Sequence, residues 1–267
     1  MSPRRTIAIV LRQYYLLRGS PTRILPLFVW VSVDIILWGL ITRYLNSVAS
    51  SGINFVPALL GAVLLWDFFI RVMQGVTIAF FEDVWSRSLL NVFASPIKIP
   101  EYLAGLVISS ILTSAAGLAV MQVLASTIFG LSFFKYGAAL IPFLLVLFLF
   151  GIALGVFGCA VVLRFGPSSE WLIWPIPALL SPFAAVFYPL SALPVWMQFA
   201  GRLLPPSYVF EGVRAIVAGH ESSAAGLAAG TGLAALYVLL AGAFFTHIYR
   251  QAVRSGLIAR YSAESLS

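Results

Sequence analysis

Long apolar runs, each about twenty residues or more, recur along the whole of this sequence. A helix needs about 20 apolar residues to cross the hydrocarbon core of a bilayer. Hydrophobic residues make up 61% of the 267 residues and charged residues 9%, whereas soluble domains average about 45–50% and about 25%. The sequence therefore predicts an all-α integral membrane protein, because helices satisfy every backbone polar group inside lipid.

Six of these runs predict six transmembrane helices in one transmembrane domain, residues 1–267. The predicted spans are 24–43, 56–81, 103–129, 138–163, 171–188 and 225–248. The fifth span is unusually rich in proline. In the fourth span Gly151 and Gly155 form a G-x-x-x-G pair, which either lets two helices approach closely or occurs by chance in an apolar helix.

The first 20 residues predict an amphipathic helix that lies on the membrane interface. Ile7, Leu11 and Tyr14 fall on one face at helical spacing, and Arg5 and Arg12 lie opposite. A secretory signal peptide is excluded, because charges recur through this stretch and no small-residue cleavage site follows it.

Residues 189–219, between the fifth and sixth spans, predict a re-entrant helical hairpin on the outer side of the membrane. Prolines divide this segment into two pieces, about 195–204 and 207–218. Each piece suits a short helix, and neither is long enough to span a bilayer.

The distribution of basic residues predicts that both termini are cytoplasmic. With that orientation only four of the 16 basic residues fall in outer segments, namely Arg43, Lys135, Arg202 and Arg214. Cytoplasmic loops of membrane proteins carry the excess of Lys and Arg. We therefore expect a multi-pass protein of the inner (plasma) membrane.

Composition argues against several kinds of site. The net charge of +7 comes from basic residues scattered at the ends of apolar runs, which is not the footprint of a nucleic-acid-binding protein. His220 and His247 lack neighbouring ligands, so we expect no metal site. Cys159 lies alone in an apolar stretch and is interpreted as a small buried hydrophobe.

Two segments carry a resemblance to a known family. One is EDVWSRSLLNVFASPIKIPEYLAG at 82–105, with an acidic start, a short helix and a Ser-Pro stop before the third span. The other is FYPLSALPVWMQFAGRLLPPSYVFEGVRAIVAG at 187–219, with its proline-broken pair of short helices. In this order and placement they resemble the type 2 permeases of ATP-binding-cassette (ABC) transporters.

The resemblance implies a permease subunit of an exporter for lipid-linked, polysaccharide-type or hydrophobic substrates. It implies a second permease copy, taken here as a homodimer, two copies of an ABC ATPase subunit, and membrane lipids around them. It implies no cofactor in this chain, with ATP and Mg bound by the partner ATPase. The chain itself contains no G-x-x-x-x-G-K-[ST] phosphate cradle.

The segment 82–101 is the predicted cytoplasmic coupling loop, with a helix around 84–94 that contacts the ATPase. An ordinary interfacial surface helix is the alternative interpretation, and α-helical residues 1–20 are a second candidate for ATPase contact. The candidate coupling residues are Glu82, Asp83, Trp85, Arg87, Leu89 and Phe93.

Three charged residues fall inside predicted spans, where charges are costly and usually paired. Asp67 and Arg71 are four residues apart on one helix face. They form either a structural ion pair or a contact for a polar head group of the substrate, and Asp34 joins them if the first two spans pack together.

The outer segment supplies a candidate gate. Phe187 and Tyr188 stand near the outer end of the fifth span, and Glu211 and Arg214 are spaced to pair. The alternative interpretation is an amphipathic cap on the bundle.

Two other function classes remain open alternatives. An intramembrane transferase needs paired acids or a nucleophile beside a base, and the few acids here are scattered. A channel would need rings of polar residues lining a pore, which these spans do not clearly show.

Overall fold

A computed structural model describes residues 2–48, 56–86, 88–131 and 133–256, and the architecture of this part is all-helical. The described residues form ten α-helices, which are numbered in chain order. They are α1 Pro3–Arg18, α2 Pro21–Val48, α3 Gly61–Trp85, α4 Leu89–Ala94, α5 Ile99–Phe129, α6 Leu140–Phe165, α7 Ile176–Leu180, α8 Val195–Arg202, α9 Pro205–Val217 and α10 Ala224–Arg254. Shorter helical turns lie at Val56–Leu60, Phe133–Ala139, Pro167–Leu172 and Leu190–Ala192.

Four stretches of the described residues are long and apolar enough to cross a membrane. They are Ala58–Trp85, Ile99–Phe129, Tyr136–Phe165 and Ala224–Arg254. They confirm a helical membrane protein and overlap the second, third, fourth and sixth predicted spans. Because only four are recognised by length and composition, the count of six stays a prediction.

The helix α2 covers the predicted first span and runs the length of the bundle. It starts beside the end of α1, and its second half carries Trp38, which stacks on Phe187 with ring centroids 5.1 Å apart. Arg43 lies over the ring of Phe129, at the far end of α5. These contacts place the two ends of α2 at opposite ends of the bundle.

The helix α3 lies at the centre of the bundle, packed against α5 and α6, and α6 packs in turn against α10. Aromatic side chains fill the contacts: Phe69 stacks on Phe150 at 5.6 Å, and Phe80 meets the edge of Phe245 at 6.2 Å. Glycines on α6 allow its close approach to α3. A Cβ atom at Gly155 would lie 2.8 Å from Cβ of Val76, so the G-x-x-x-G pair is a packing surface.

The predicted fifth span, 171–188, is not one continuous helix. The chain forms Pro167–Leu172, then α7, then non-helical turns up to Pro189. Pro175, Pro177 and Pro182 explain the correction, because each lacks the N–H that a helix uses. Irregular backbone at membrane depth must be buried in protein or line a cavity, and residues 184–186 are fully buried here.

The bundle has two distinct ends. The loop end, as we call it, holds α1, the end of α3, α4, the start of α5 and the ends of α6 and α10, and is the predicted cytoplasmic side. The hairpin end holds α8 and α9, which correspond to the two predicted short helices at 189–219. The re-entrant character of that hairpin stays a prediction.

Candidate functional site: a charged cleft and its two ends

A cleft of about 940 Å³ opens between α1, α2, α3 and α5. Its lining follows α3 from Asp67 to Trp85 and also includes Gln13 and Leu17 of α1. Eighteen residues of helix separate Asp67 from Trp85, a distance of about 27 Å along the axis. The cleft therefore extends over nearly the thickness of a hydrocarbon core, about 30 Å, from the loop end into the bundle.

The three predicted intramembrane charges all line the deep part of this cleft. Nε of Arg71 donates to Oδ2 of Asp67 at 2.9 Å, and the two side chains are only 11% and 16% exposed. Asp34 comes from α2, is half-buried, and is near enough for the charge of Arg71 to act on it. The predicted Asp67–Arg71 pair is therefore present, and the structure brings Asp34 to the same cleft.

Hydroxyl groups of α5 form the wall that faces these charges. Ser109 and Thr113 donate back to carbonyls of their own helix, those of Gly105 and Ser109, at 2.9 and 3.1 Å. Ser114 is 2% exposed, and among the described residues its Oγ has no hydrogen-bond partner. Because an unpaired buried hydroxyl is costly, Ser114 marks a point where the cleft can accept a polar group.

The candidate coupling residues lie at the loop end, but they do not form one helix. Glu82, Asp83 and Trp85 belong to the last turn of α3, and α4 is a separate short helix. The single predicted helix at 84–94 is therefore wrong, because α3 ends at Trp85 and a separate helix begins at Leu89. Arg87 lies outside the described residues, as does the side chain of Phe93.

Two of these residues differ sharply in their access to a partner. Trp85 is 53% exposed, and its Nε1 donates to Oε2 of Glu170 in the connector after α6, at 3.1 Å. Leu89 is only 6% exposed and packs into the core, although the sequence made it a candidate for contact with the ATPase. Glu82 is half-buried and lines the mouth of the cleft.

Asp83 is fully buried, and it contacts residues inside the protein rather than a partner at the surface. It forms an ion pair with Arg12 of α1 and accepts hydrogen bonds from Oη of Tyr102 at 2.6 Å and from Oγ of Ser88 at 3.1 Å. A negative charge in the last turn of a helix opposes the helix dipole, so these donors compensate it. This burial argues against a direct contact of Asp83 with the ATPase, and the predicted role stays a prediction.

Glu101 is a structural residue that the sequence interpretation did not single out. One carboxylate oxygen accepts from the backbone N–H of Ser2 at 2.6 Å, and the other accepts from that of Lys98 at 3.0 Å. Arg5 lies 3.5 Å away. The sequence does carry a signal for this role. Glu101 is the third residue of α5 and directly follows Pro100, which is a pattern typical of a capped helix start. Glu101 thus joins α1 to α5.

The two charged gate candidates lie at the hairpin end and are hydrogen-bonded to each other. Oε1 of Glu211 accepts from the backbone N–H of Leu190 at 2.7 Å and from Arg214 at 2.8 Å. Arg214 also donates to the carbonyl of Ala185 at 2.8 Å. The predicted Glu211–Arg214 pair is confirmed, and it attaches α9 to the irregular segment before α8.

The two aromatic gate candidates have separate contacts. Phe187 is 40% exposed and stacks on Trp38 of α2. Tyr188 donates through its hydroxyl to the carbonyl of Pro182 at 2.8 Å. Both contacts hold the irregular segment in place, and whether the group moves during transport stays a prediction.

Among the described residues, no group of three His, Cys, Asp or Glu could hold a metal ion. Cys159 is fully buried, as the sequence suggested, with Sγ 3.9 Å from the carbonyl of Val76.

Comparison with models of protein families gives a match. The sequence model described as "ABC-2 type transporter" matches residues 7–218, which is most of the chain, from α1 to the end of α9. No curated protein matches this sequence.

Proposed function

This chain belongs to the ABC-2 type transporter family, and from that premise we propose that it is the permease subunit of an ABC exporter. The proposed substrate is lipid-linked, polysaccharide-type or hydrophobic. A separate ATPase subunit hydrolyses the ATP, with two copies docked beneath a homodimer of this permease. The proposed location is the inner (plasma) membrane, with both termini in the cytoplasm.

The observation that carries this proposal is the cleft along α3. It begins at the loop end and reaches a cluster of charges deep in the bundle. Ligand sites of drug-sized molecules have volumes of about 300–1,000 Å³, and the cleft falls within that range. Ionisable groups at such depth commonly mark a substrate path in membrane proteins.

The loop end supplies a surface through which a partner could drive the helices. Trp85 is exposed at the end of the central helix, and its hydrogen bond to Glu170 connects α3 to the helical turn after α6. The Arg12–Asp83 pair fixes α1 to the same turn of α3. A push on this surface would therefore reach α3 and the cleft wall together.

Co-purification tests the proposal. The tagged chain is extracted in mild detergent, transferred to nanodiscs, and analysed by mass spectrometry with an ATPase assay. We expect an ABC ATPase at equal stoichiometry with vanadate-sensitive activity. A pure single-component oligomer without a nucleotide-hydrolysing partner would contradict the proposal and favour the transferase or channel alternatives.

A further inference from the structure

Among the described residues, the charges at the deep end of the cleft are not balanced. The charged residues that line this part are Asp34, Asp67 and Arg71, two carboxylates and one guanidinium. Arg71 pairs directly with Asp67. No described residue forms a hydrogen bond or a close ion pair with Asp34, which lies on α2 and is acted on by the charge of Arg71. The deep end of the cleft therefore has an acidic surplus.

From this surplus we infer that the cleft binds an amphiphile bearing a cationic group, such as a quaternary ammonium. The inference rests on the proposed function and specifies its substrate class. The cationic group lies beside Asp34, and the apolar part extends along α3 toward the loop end. A cationic group at this depth compensates the excess negative charge, whereas a neutral amphiphile does not.

The wall around Asp34 fits such a group. Trp30 is one turn before Asp34 on the same face of α2, and both line the cleft. Trp174 lines it as well. Indole faces attract cations, and quaternary ammonium ions are bound in this way beside aromatic rings. A carboxylate next to an exposed indole thus offers both charge and a π face.

The unpaired hydroxyl of Ser114 gives independent support. It is almost completely buried, lines the cleft, and has no hydrogen-bond partner among the described residues. A bound ligand with an ester, ether or hydroxyl near its cationic group would satisfy it. An anionic head group fits less well, because Asp34 would repel it and Arg71 is already held by Asp67.

A binding experiment with three matched probes tests the inference. Each probe is a dansyl-labelled dodecyl chain, ending in trimethylammonium, hydroxyl or sulfate. The full-length protein is held in micelles of a non-ionic maltoside detergent, which carries no cationic group, and empty micelles give the background. We expect the trimethylammonium probe to bind at least about tenfold more tightly than the hydroxyl probe, because charge attraction is strong in a partly buried site.

The variant Asp34→Asn should remove that preference while keeping the Asp67–Arg71 pair. Glu221→Gln is the matched control, because it also removes one carboxylate but at an exposed loop outside the cleft. If Asp34→Asn does not fold, the selectivity of the wild-type protein among the three probes still tests the inference.

Three binding results would overturn the inference. They are equal binding of the three probes, tighter binding of the sulfate, or a Asp34→Asn protein that behaves like Glu221→Gln. Efficient cross-linking between two copies through Asp34→Cys would also overturn it, since a second copy would then cover the wall. Recovery of the ATPase is independent of these results, so a failed inference and a failed permease assignment are distinguishable.

Discussion

At the scale of single residues, the charges inside this protein fall into two kinds. Asp83 and Glu101 each accept several donors from neighbouring elements and hold helices together. Asp34, Asp67 and Arg71 line an open cleft instead. Burial and partners separate structural charges from those available to a ligand, and both kinds look alike in the sequence.

Removing one partner of the Asp67–Arg71 pair should destabilise the protein more than replacing both partners by apolar residues. Arg71→Met leaves a mostly buried carboxylate without its guanidinium, which costs about 3–5 kcal/mol in comparable pairs. The double variant Asp67→Leu with Arg71→Met removes both charges and should recover much of that stability. Thermal unfolding in detergent, followed by size-exclusion chromatography, measures the difference.

A double variant no more stable than Arg71→Met would contradict the pairing argument. If the double variant is stable but does not export, the pair contacts the substrate as well as stabilising the fold.

The hydroxyl of Tyr102 should stabilise the protein through the buried carboxylate of Asp83. Tyr102→Phe removes one hydrogen bond to a charged group, worth about 1.5–3 kcal/mol, without changing the shape of the ring. Tyr44→Phe is the control, because Tyr44 is 66% exposed. We expect Tyr102→Phe to lower the thermal midpoint and Tyr44→Phe to leave it unchanged. Equal midpoints for the two variants would refute this role.

At the scale of helices, close approach at glycine decides how α3 and α6 pack. A Cβ at Gly151 would lie 2.9 Å from Cβ of Val72, and one at Gly155 would lie 2.9 Å from the carbonyl oxygen of Met73. The backbone atom cannot move aside as a flexible side chain could. The same two helices form one side of the core that supports the cleft.

Replacing Gly155 by a larger residue should therefore separate α3 from α6. Gly155→Leu should destabilise the protein by about 1–3 kcal/mol, the usual cost of overpacking. Gly242→Leu on α10 is the control, because a Cβ there would meet no atom within 4 Å. Thermal midpoints and folded yield compare the two, and a Gly155→Leu protein as stable as the control would show that the helices can separate without cost.

At the scale of the whole molecule, side-chain contacts between different elements hold each end of the bundle together. At the loop end Arg12 links α1 to α3, and Glu101 links α1 to α5. At the hairpin end Glu211 and Arg214 attach α9 to the segment before α8. The cleft begins at the loop end, where Gln13 of α1 and Glu82 of α3 line it, and reaches Asp67 deeper in the bundle.

The exposed indole of Trp85 should contribute to ATPase contact. Large aromatic anchors at protein interfaces often contribute about 2 kcal/mol or more, so Trp85→Ala should reduce recovery of the ATPase severalfold. Trp196→Ala is the control, because Trp196 is similarly exposed but lies on α8 at the hairpin end. Quantitative mass spectrometry of the purified complexes measures recovery, and unchanged recovery with Trp85→Ala would place the contact elsewhere. Leu89→Asp is unsuitable here, since Leu89 is buried.

The sequence by itself determined the class of this protein, because apolar runs of membrane-spanning length have only one stable environment. Local spacing also predicted the Asp67–Arg71 and Glu211–Arg214 pairs, since residues three or four apart share a helix face. The two resembling segments indicated the family that the sequence model confirms. These features depend on neighbours along the chain.

Only the tertiary structure decided which residues meet across the chain. Asp83 looked like a surface acid until Arg12 and Tyr102, far from it in sequence, were seen to bury it. The segment 171–188 looked like a helix because its composition is apolar, but its prolines and its contacts with α9 leave it irregular. The cleft likewise forms between α2, α3 and α5, and helix packing, which no local pattern encodes, sets its position.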